Sequence, residues 1–186
     1  LLREQSTRCR DILSKITELS SSGEPFDRMP LTALIEEVVA PHRNFGVTIE
    51  VSASGDRNAE PVGARNPAIL YGLGNLLENA VDFANTRVEI SPQWTSDEVT
   101  ITISDDGPGF APEVLDRLGA PYVTHRQPGP ALREDEETAF GLGLGLFIAK
   151  TLLERSAARL TFKNQAPPLS GAVVTVTWSR SDFERP

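Results

Sequence analysis

The chain has 186 residues, with 26 acidic against 18 basic side chains and a formal net charge of −8. That balance argues against a nucleic-acid groove, which needs a basic stripe. No stretch reaches the roughly 18 to 20 consecutive apolar residues that span a bilayer, and one cysteine rules out an internal disulfide framework and suits a reducing, intracellular compartment.

Along the chain, Leu2, Cys9 and Ile16 recur at intervals of seven, with Ile12, Leu13 and Leu19 widening the stripe. This predicts a helix over 2–19 with a coiled-coil-like seam. The opening is polar and charged and starts at Leu, so no secretory leader is expected and the chain reads as a piece of something longer. "SSSGEPFDRMP" (20–30) is a polar, Gly- and Pro-containing linker, and a boundary is placed there. The predicted domains are 1–22 (helical), 23–30 (linker) and 31–182 (main domain). A helix is predicted over 31–41, from Leu31, Leu34, Ile35, Val38 and Val39, and an alternating strand over 47–52. Asn66–Pro67 opens the next helix, with Asn as cap and Pro at its first position, and that helix runs to about Ala84. Strands follow over 87–91 and 99–104, then a loop-rich stretch over 111–140 with four prolines, a helix over 143–156, and a closing hairpin of "RLTFKN" and "AVVTVTWS". The class is α+β: a mixed, mostly antiparallel sheet with helices on one face.

Three stretches carry candidate chemistry. In "NLLENAVDFA" (75–84), Asn75, Glu78, Asn79 and Asp82 share one helix face, opposite Leu70, Leu73, Leu77, Ala80 and Ala84. Asn costs about half a kcal/mol more than Ala in a helix, so two of them one turn apart suggest a task. Amide oxygens beside a carboxylate suit a hard cation such as Mg²⁺, although a plain solvated face also fits. In "VTITISDDGPGF" (99–110) a strand runs into Asp105 and the turn Gly107-Pro108-Gly109. A carboxylate there suits a pocket floor, and glycines let a flat ligand approach. An ordinary turn fits too. In "FGLGLGLFIAK", Gly141, Gly143 and Gly145 precede a helix whose first amides can meet an anion; a glycine hinge is the alternative. There is no Walker loop and no eukaryotic-type kinase signature.

In this order and spacing the three stretches resemble the N, G1 and G2 boxes of the histidine-kinase catalytic domain, the GHKL or Bergerat ATP-binding fold, over residues 27–180. Residues 1–20 resemble the end of the preceding dimerisation hairpin. "LLREQSTRCRDIL", "NLLENAVDFA" and "PYVTHR" are similar to RegB/PrrB-type redox-responsive sensor kinases. The resemblance implies ATP and Mg²⁺ as ligands, with Asn79 on the metal and Asn75 near the phosphates. Asp105 accepts a hydrogen bond from the adenine amino group. A carboxylate only accepts, so it suits adenine and opposes the 6-oxo group of guanine. Gly107 and Gly109 lie beside adenine, and Phe83 lies near adenine and ribose. Gly141, Gly143 and Gly145, with Leu146 following, meet the phosphates. Residues 111–140 become the ATP lid, with Tyr122 where Phe is usual, and with Arg126 and Arg133 as candidates for phosphate contact. Asp82 departs from the pattern, since relatives commonly carry a basic residue there. The resemblance implies an acidic residue beside the accepting histidine as the base, with Glu78 as an alternative proton acceptor.

Neither His42 nor His125 has the context of a phosphoacceptor, so that histidine is expected before residue 1. The resemblance further implies a homodimer through the N-terminal helix, a response-regulator partner, no nucleic acid and a cytoplasmic fragment, with the parent protein anchored in the inner membrane through upstream segments as one arrangement it allows. Cys9 is either a small seam residue or a redox-responsive thiol activated by Arg8 and Arg10. Rivals are a water-activating GHKL ATPase, disfavoured because Asn75 cannot act as base, an anti-sigma-type serine kinase, and a degenerate dimerisation module.

Overall fold

The computed structural model describes residues 28–43, 46–115 and 144–185. The helix expected over 2–19, most of the linker, Cys9, His125 and most of the lid, with Tyr122, Arg126, Arg133, Gly141 and Gly143, lie outside the described residues.

The elements run in the order β1 (Arg28–Pro30), α1 (Leu31–Val39), β2 (Thr48–Val51), β3 (Val62–Ala64), α2 (Pro67–Phe83), β4 (Arg87–Trp94), β5 (Glu98–Asp105), α3 (Pro112–Leu115), α4 (Leu144–Arg155), β6 (Arg159–Asn164), β7 (Ala172–Ser179) and α5 (Arg180–Phe183). Five strands form one sheet in the order β2-β4-β5-β7-β6. Only the β2–β4 pair is parallel; β4–β5, β5–β7 and β6–β7 are antiparallel. The expected α+β class with a mixed, mostly antiparallel sheet is what forms. β1 and β3 make a separate antiparallel pair. Residues 28–30, read as the end of the linker, are therefore strand.

Alternation in β4, in β5 and in β7 from Val174 on turns Val88, Ile90, Val99, Ile101, Ile103, Val174, Val176 and Trp178 into the core. The other face carries Thr100, Thr102, Ser104, Thr175 and Thr177, all half-buried. α1 buries Leu31, Leu34, Ile35, Val38 and Val39, and α2 buries Ile69, Leu70, Leu73, Leu76, Leu77 and Ala80. Both apolar stripes are as expected, joined by Ile69 and Leu76. The predicted Asn66 cap forms, its side chain accepting from Ala68 N at 2.9 Å. α2 and α4 lie against each other, with the fully buried Leu153 of α4 seated over Gly72 of α2. Among the described residues no helix is long and apolar enough to cross a membrane.

Candidate nucleotide-binding site

Asp105 ends β5 in the same inward register as Val99, Ile101 and Ile103, so the alternation that buries the valine and isoleucines also buries its carboxylate. It is 5% exposed. Its Oδ1 accepts from Gly107 N at 2.9 Å and from Ala172 N at 3.2 Å. Burial pushes the Asp105 carboxyl above the usual range and the neighbouring Asp106 charge adds to this, while the two N–H donors pull the other way. Among the described residues both hydrogen bonds fall on Oδ1, and no buried side-chain oxygen or nitrogen lacks a partner. Oδ2 makes no hydrogen bond among the described residues.

Gly107 is glycine for a reason the sequence does not reveal. A Cβ there would stand 2.1 Å from the Phe83 carbonyl oxygen and 3.0 Å from Asp105 Oδ1. The close approach is made by the end of α2 itself, which locks the helix against the turn. Phe83 is 43% exposed, the only large apolar side chain of α2 so placed among the described residues.

The two asparagines of α2 are half-buried and used alike. Asn75 Nδ2 donates to Tyr71 O and Asn79 Nδ2 donates to Asn75 O, each at 2.7 Å. With the NH₂ groups turned back on the helix, the amide oxygens are left as acceptors. A Cβ placed on Gly145 would lie 3.6 Å from Asn75 Oδ1 and 3.7 Å from Asn79 Nδ2. The start of α4 therefore stands over both asparagines. Glu78 and Asp82 are exposed on the same helix. Leu146 packs against the hydrophobic core, so any phosphate contact there is made by backbone. Lys150 pairs with Glu154 at 3.9 Å.

The donor set fits a hard cation only in part. Among the described residues no group of three or more His, Cys, Asp or Glu side chains gathers to hold an ion unaided. Asn79 supplies one amide oxygen, which suits Mg²⁺ when phosphates and water complete the shell.

Two residues that matter here were not singled out in the sequence. Gly171, at φ +124°, lies so close to Asp105 that a Cβ would come 1.8 Å from its carbonyl oxygen. Ala172 supplies the second N–H to the carboxylate. Both come from the start of β7, 67 residues from Asp105 for Ala172. The Ser-Gly-Ala that precedes the alternating run was the only local signal.

A mixed sheet backed by α2 and α4 thus carries a buried carboxylate at the end of its central strand. Residues 66–182 match the family described as histidine kinase-, DNA gyrase B- and HSP90-like ATPase, and the chain belongs to that family, which implies ATP binding. The sensor histidine kinase RegB of Cereibacter sphaeroides is 41% identical over 193 residues, covering 96% of this chain and 41% of that protein. The sensor histidine kinase CpxA of Escherichia coli is 33% identical over 107 residues, covering 57% of this chain and 22% of that one. This chain thus spans well under half the length of these relatives. Among solved structures, the mycobacterial sensor histidine kinase MprB superposes with a TM-score of 0.64 at 18% identity, over 82% of this chain and 97% of that chain. Full-length ShkA in complex with AMPPNP gives 0.61 at 20% identity, over 88% and 33%. These neighbours establish the fold expected from the three motifs.

Proposed function

We propose that this chain is the ATP-binding catalytic part of a two-component sensor histidine kinase, passing the γ-phosphate of Mg-ATP to a histidine side chain for relay to a response regulator. The observation that carries the reading is the pairing of two features: the buried Asp105 carboxylate, whose Oδ2 has no partner among the described residues, and Asn75 and Asn79 aligned beneath the start of α4.

Asp105 Oδ2 accepts the adenine amino group. A hydrogen bond to a charged acceptor is worth about 1.5–3 kcal/mol, and guanine, which presents an oxygen there, leaves both acceptors unpaired. Phe83 lies against the base and ribose. The amides at the start of α4 hold the phosphate tail in a helix dipole's positive end. Asn79 would hold Mg²⁺ through its amide oxygen, and the ion, when bound, would supply charge neutralisation to the phosphates. Asn75 has no basic lone pair for activating water, so the site favours transfer to an imidazole over hydrolysis. Glu78, exposed one position before Asn79, takes the proton that the attacking imidazole releases.

Neither histidine of this sequence, His42 or His125, has the context of a phosphoacceptor, so the accepting histidine belongs to a separate helical segment of the kinase. The likeness to RegB over nearly the whole chain supports this arrangement. Two measurements test it. Calorimetry with Mg-ADP and Mg-GDP should show binding of the first at least about tenfold tighter, the equivalent of one charge-assisted hydrogen bond. Incubation with labelled ATP and a protein bearing the histidine hairpin should yield acid-labile phosphate on that protein. Absence of ADP binding, or label that survives acid, overturns the reading.

A further inference from the structure

The turn that begins at Asp105 is fastened from outside by the junction of β6 and β7. Asn164, the last residue of β6, grips the backbone of Phe110 with both ends of its amide. Its Oδ1 accepts from Phe110 N at 2.7 Å, and its Nδ2 donates to Phe110 O at 2.8 Å. The next residue holds the other end of the same turn: Gln165 Nε2 donates to Asp105 O at 2.7 Å. Gln165 N in turn donates to Gly171 O at 2.9 Å, and Ala172 N, opposite Asn164 in the β6–β7 register, reaches the Asp105 carboxylate at 3.2 Å. The Phe110 and Phe162 rings meet edge to face, 6.1 Å between centroids.

The glycines of the turn are shaped to this fastening. Gly109 has φ +78°, and a Cβ on it would stand 2.7 Å from Asn164 Oδ1. Gly109 thus clears space for the Asn164 amide as well as adopting a left-handed backbone. Among side chains of this length only an asparagine carries an acceptor and a donor spaced to meet one residue's N–H and C=O together. An aspartate would set an acceptor against the Phe110 carbonyl, and a serine would reach one of the two groups.

We infer that Asn164 and Gln165 are positioning residues for adenine selection: from the β6–β7 junction they fix where the Asp105 carboxylate stands and where the chain leaves the adenine turn at Phe110. The inference rests on Asp105 being the adenine acceptor, as proposed above. Without the Asn164 grip the exit of the turn keeps, among the described residues, the packing of Phe110 on Phe162 and the core but no hydrogen bond at Phe110, and the Asp105 carboxylate is no longer held at one distance from the base.

The test compares ADP and GDP affinities of the 186-residue chain with those of Asn164→Ala and Asn164→Asp, by calorimetry with Mg²⁺ present. Asn164→Ala should weaken ADP about tenfold, the worth of an ordinary hydrogen bond or two, and leave GDP nearly unchanged, so that the ADP-to-GDP preference collapses. Asn164→Asp keeps the acceptor for Phe110 N and should recover part of that preference. A residue that merely stabilised the fold would lower the melting temperature and leave the preference intact, and that result overturns the inference. Amide hydrogen exchange on the unsubstituted, nucleotide-free chain needs no variant: Phe110 N–H should be strongly protected, and exchange at the free-peptide rate also overturns it. Failure of the unsubstituted chain to bind ADP brings down the nucleotide reading together with this one, whereas ADP binding with an unaltered preference in Asn164→Ala brings down this one alone.

Discussion

Two adjacent carboxylates, Asp105 and Asp106, are driven in opposite directions by their surroundings. Asp106 accepts from the Thr86 hydroxyl at 2.5 Å and from the backbone N–H groups of Asn85, Thr86 and Arg87 at 2.8, 3.0 and 3.1 Å. The Thr86 hydroxyl first, then these N–H groups, hold its carboxyl well below the usual range. It ties the end of β5 to the turn after α2. A lowered folded-state pKa stabilises the fold above the ordinary aspartate value of about 3.9, and that stability is lost as pH falls through the folded value. Asp106→Asn should therefore melt below the unsubstituted chain at pH 7, and the gap should close in melts taken progressively below about pH 4; a gap that ignores pH refutes this account. Asp105 has the opposite sign. Its raised folded-state value means that the ionised form costs stability, a cost absent below the unfolded pKa and incurred as pH rises through the folded one. Asp105→Asn keeps an oxygen for Gly107 and Ala172, so it should melt no lower at neutral pH while losing ADP affinity about tenfold or more. A lower melting point together with retained ADP binding would show the carboxylate to be structural. The sequence distinguishes the two only through parity: Asp105 continues the inward register of Ile101 and Ile103, whereas Asp106 falls on the other side.

The three long helices among the described residues were readable in the sequence almost to the residue, because periodicity, the Asn66 cap and the prolines are local signals, whereas the four-residue helices Pro112–Leu115, inside the expected loop, and Arg180–Phe183 are too short to show a period. Predicted spans of 31–41, 67–84 and 143–156 correspond to Leu31–Val39 with a 3₁₀ turn at Ala40–His42, Pro67–Phe83 and Leu144–Arg155. The pair β1–β3 was not readable, since three-residue strands show no alternation and their pairing joins Arg28 to Ala64. Nor was the parallel β2–β4 pairing, which crosses the whole of α2. The start of α1 is also served from a distance: its cap position is Pro30, and Glu60 Oε1 instead accepts from Thr32 N at 2.8 Å and Thr32 Oγ1 at 2.6 Å. The packing of α2 on α4 yields a paired prediction. Ala is favoured over Gly in a helix by about 0.8–1 kcal/mol. At Gly74 nothing among the described residues lies within 4 Å of an added Cβ, so Gly74→Ala should stabilise by about that amount. At Gly72 the same methyl would stand 2.7 Å from Leu153 Cγ, in a fully buried contact. Overpacking of this kind costs about 1–3 kcal/mol, which outweighs the propensity gain, so Gly72→Ala should destabilise. Denaturant melts that gave both changes the same sign would show that α4 does not rest on α2 as described.

At the scale of the whole molecule, the charge of −8 sets a problem for any ligand carrying several phosphates. The chain repels such a ligand at long range, and within a Debye length of about 8 Å in physiological salt the repulsion must be answered locally. Among the described residues the strip below α4 offers amide oxygens and backbone N–H groups, and the carboxylates Glu78 and Asp82 stand exposed on the same helix. Helix-terminal amides contribute about 0.3–1 kcal/mol each way, too little to overcome a triphosphate's charge. On the reading proposed above, a divalent cation shares the remaining work with Arg126 and Arg133, and because no cluster of ionised ligands exists among the described residues, that cation should arrive with the nucleotide. Three outcomes follow. Mg²⁺ alone should give no measurable heat with the protein. ADP should bind more weakly by about tenfold or more when EDTA replaces Mg²⁺, the worth of a single charge-assisted interaction. Asn79→Ala should remove most of that Mg²⁺-dependent gain and leave the metal-free ADP affinity nearly untouched, because on the proposed reading adenine is held at the other end of the site by Asp105. A double comparison of Asn79→Ala with and without Mg²⁺ isolates the coupling between the residue and the ion. If the substitution weakens ADP equally in both conditions, Asn79 acts on the nucleotide or the fold directly, and the cation is held elsewhere.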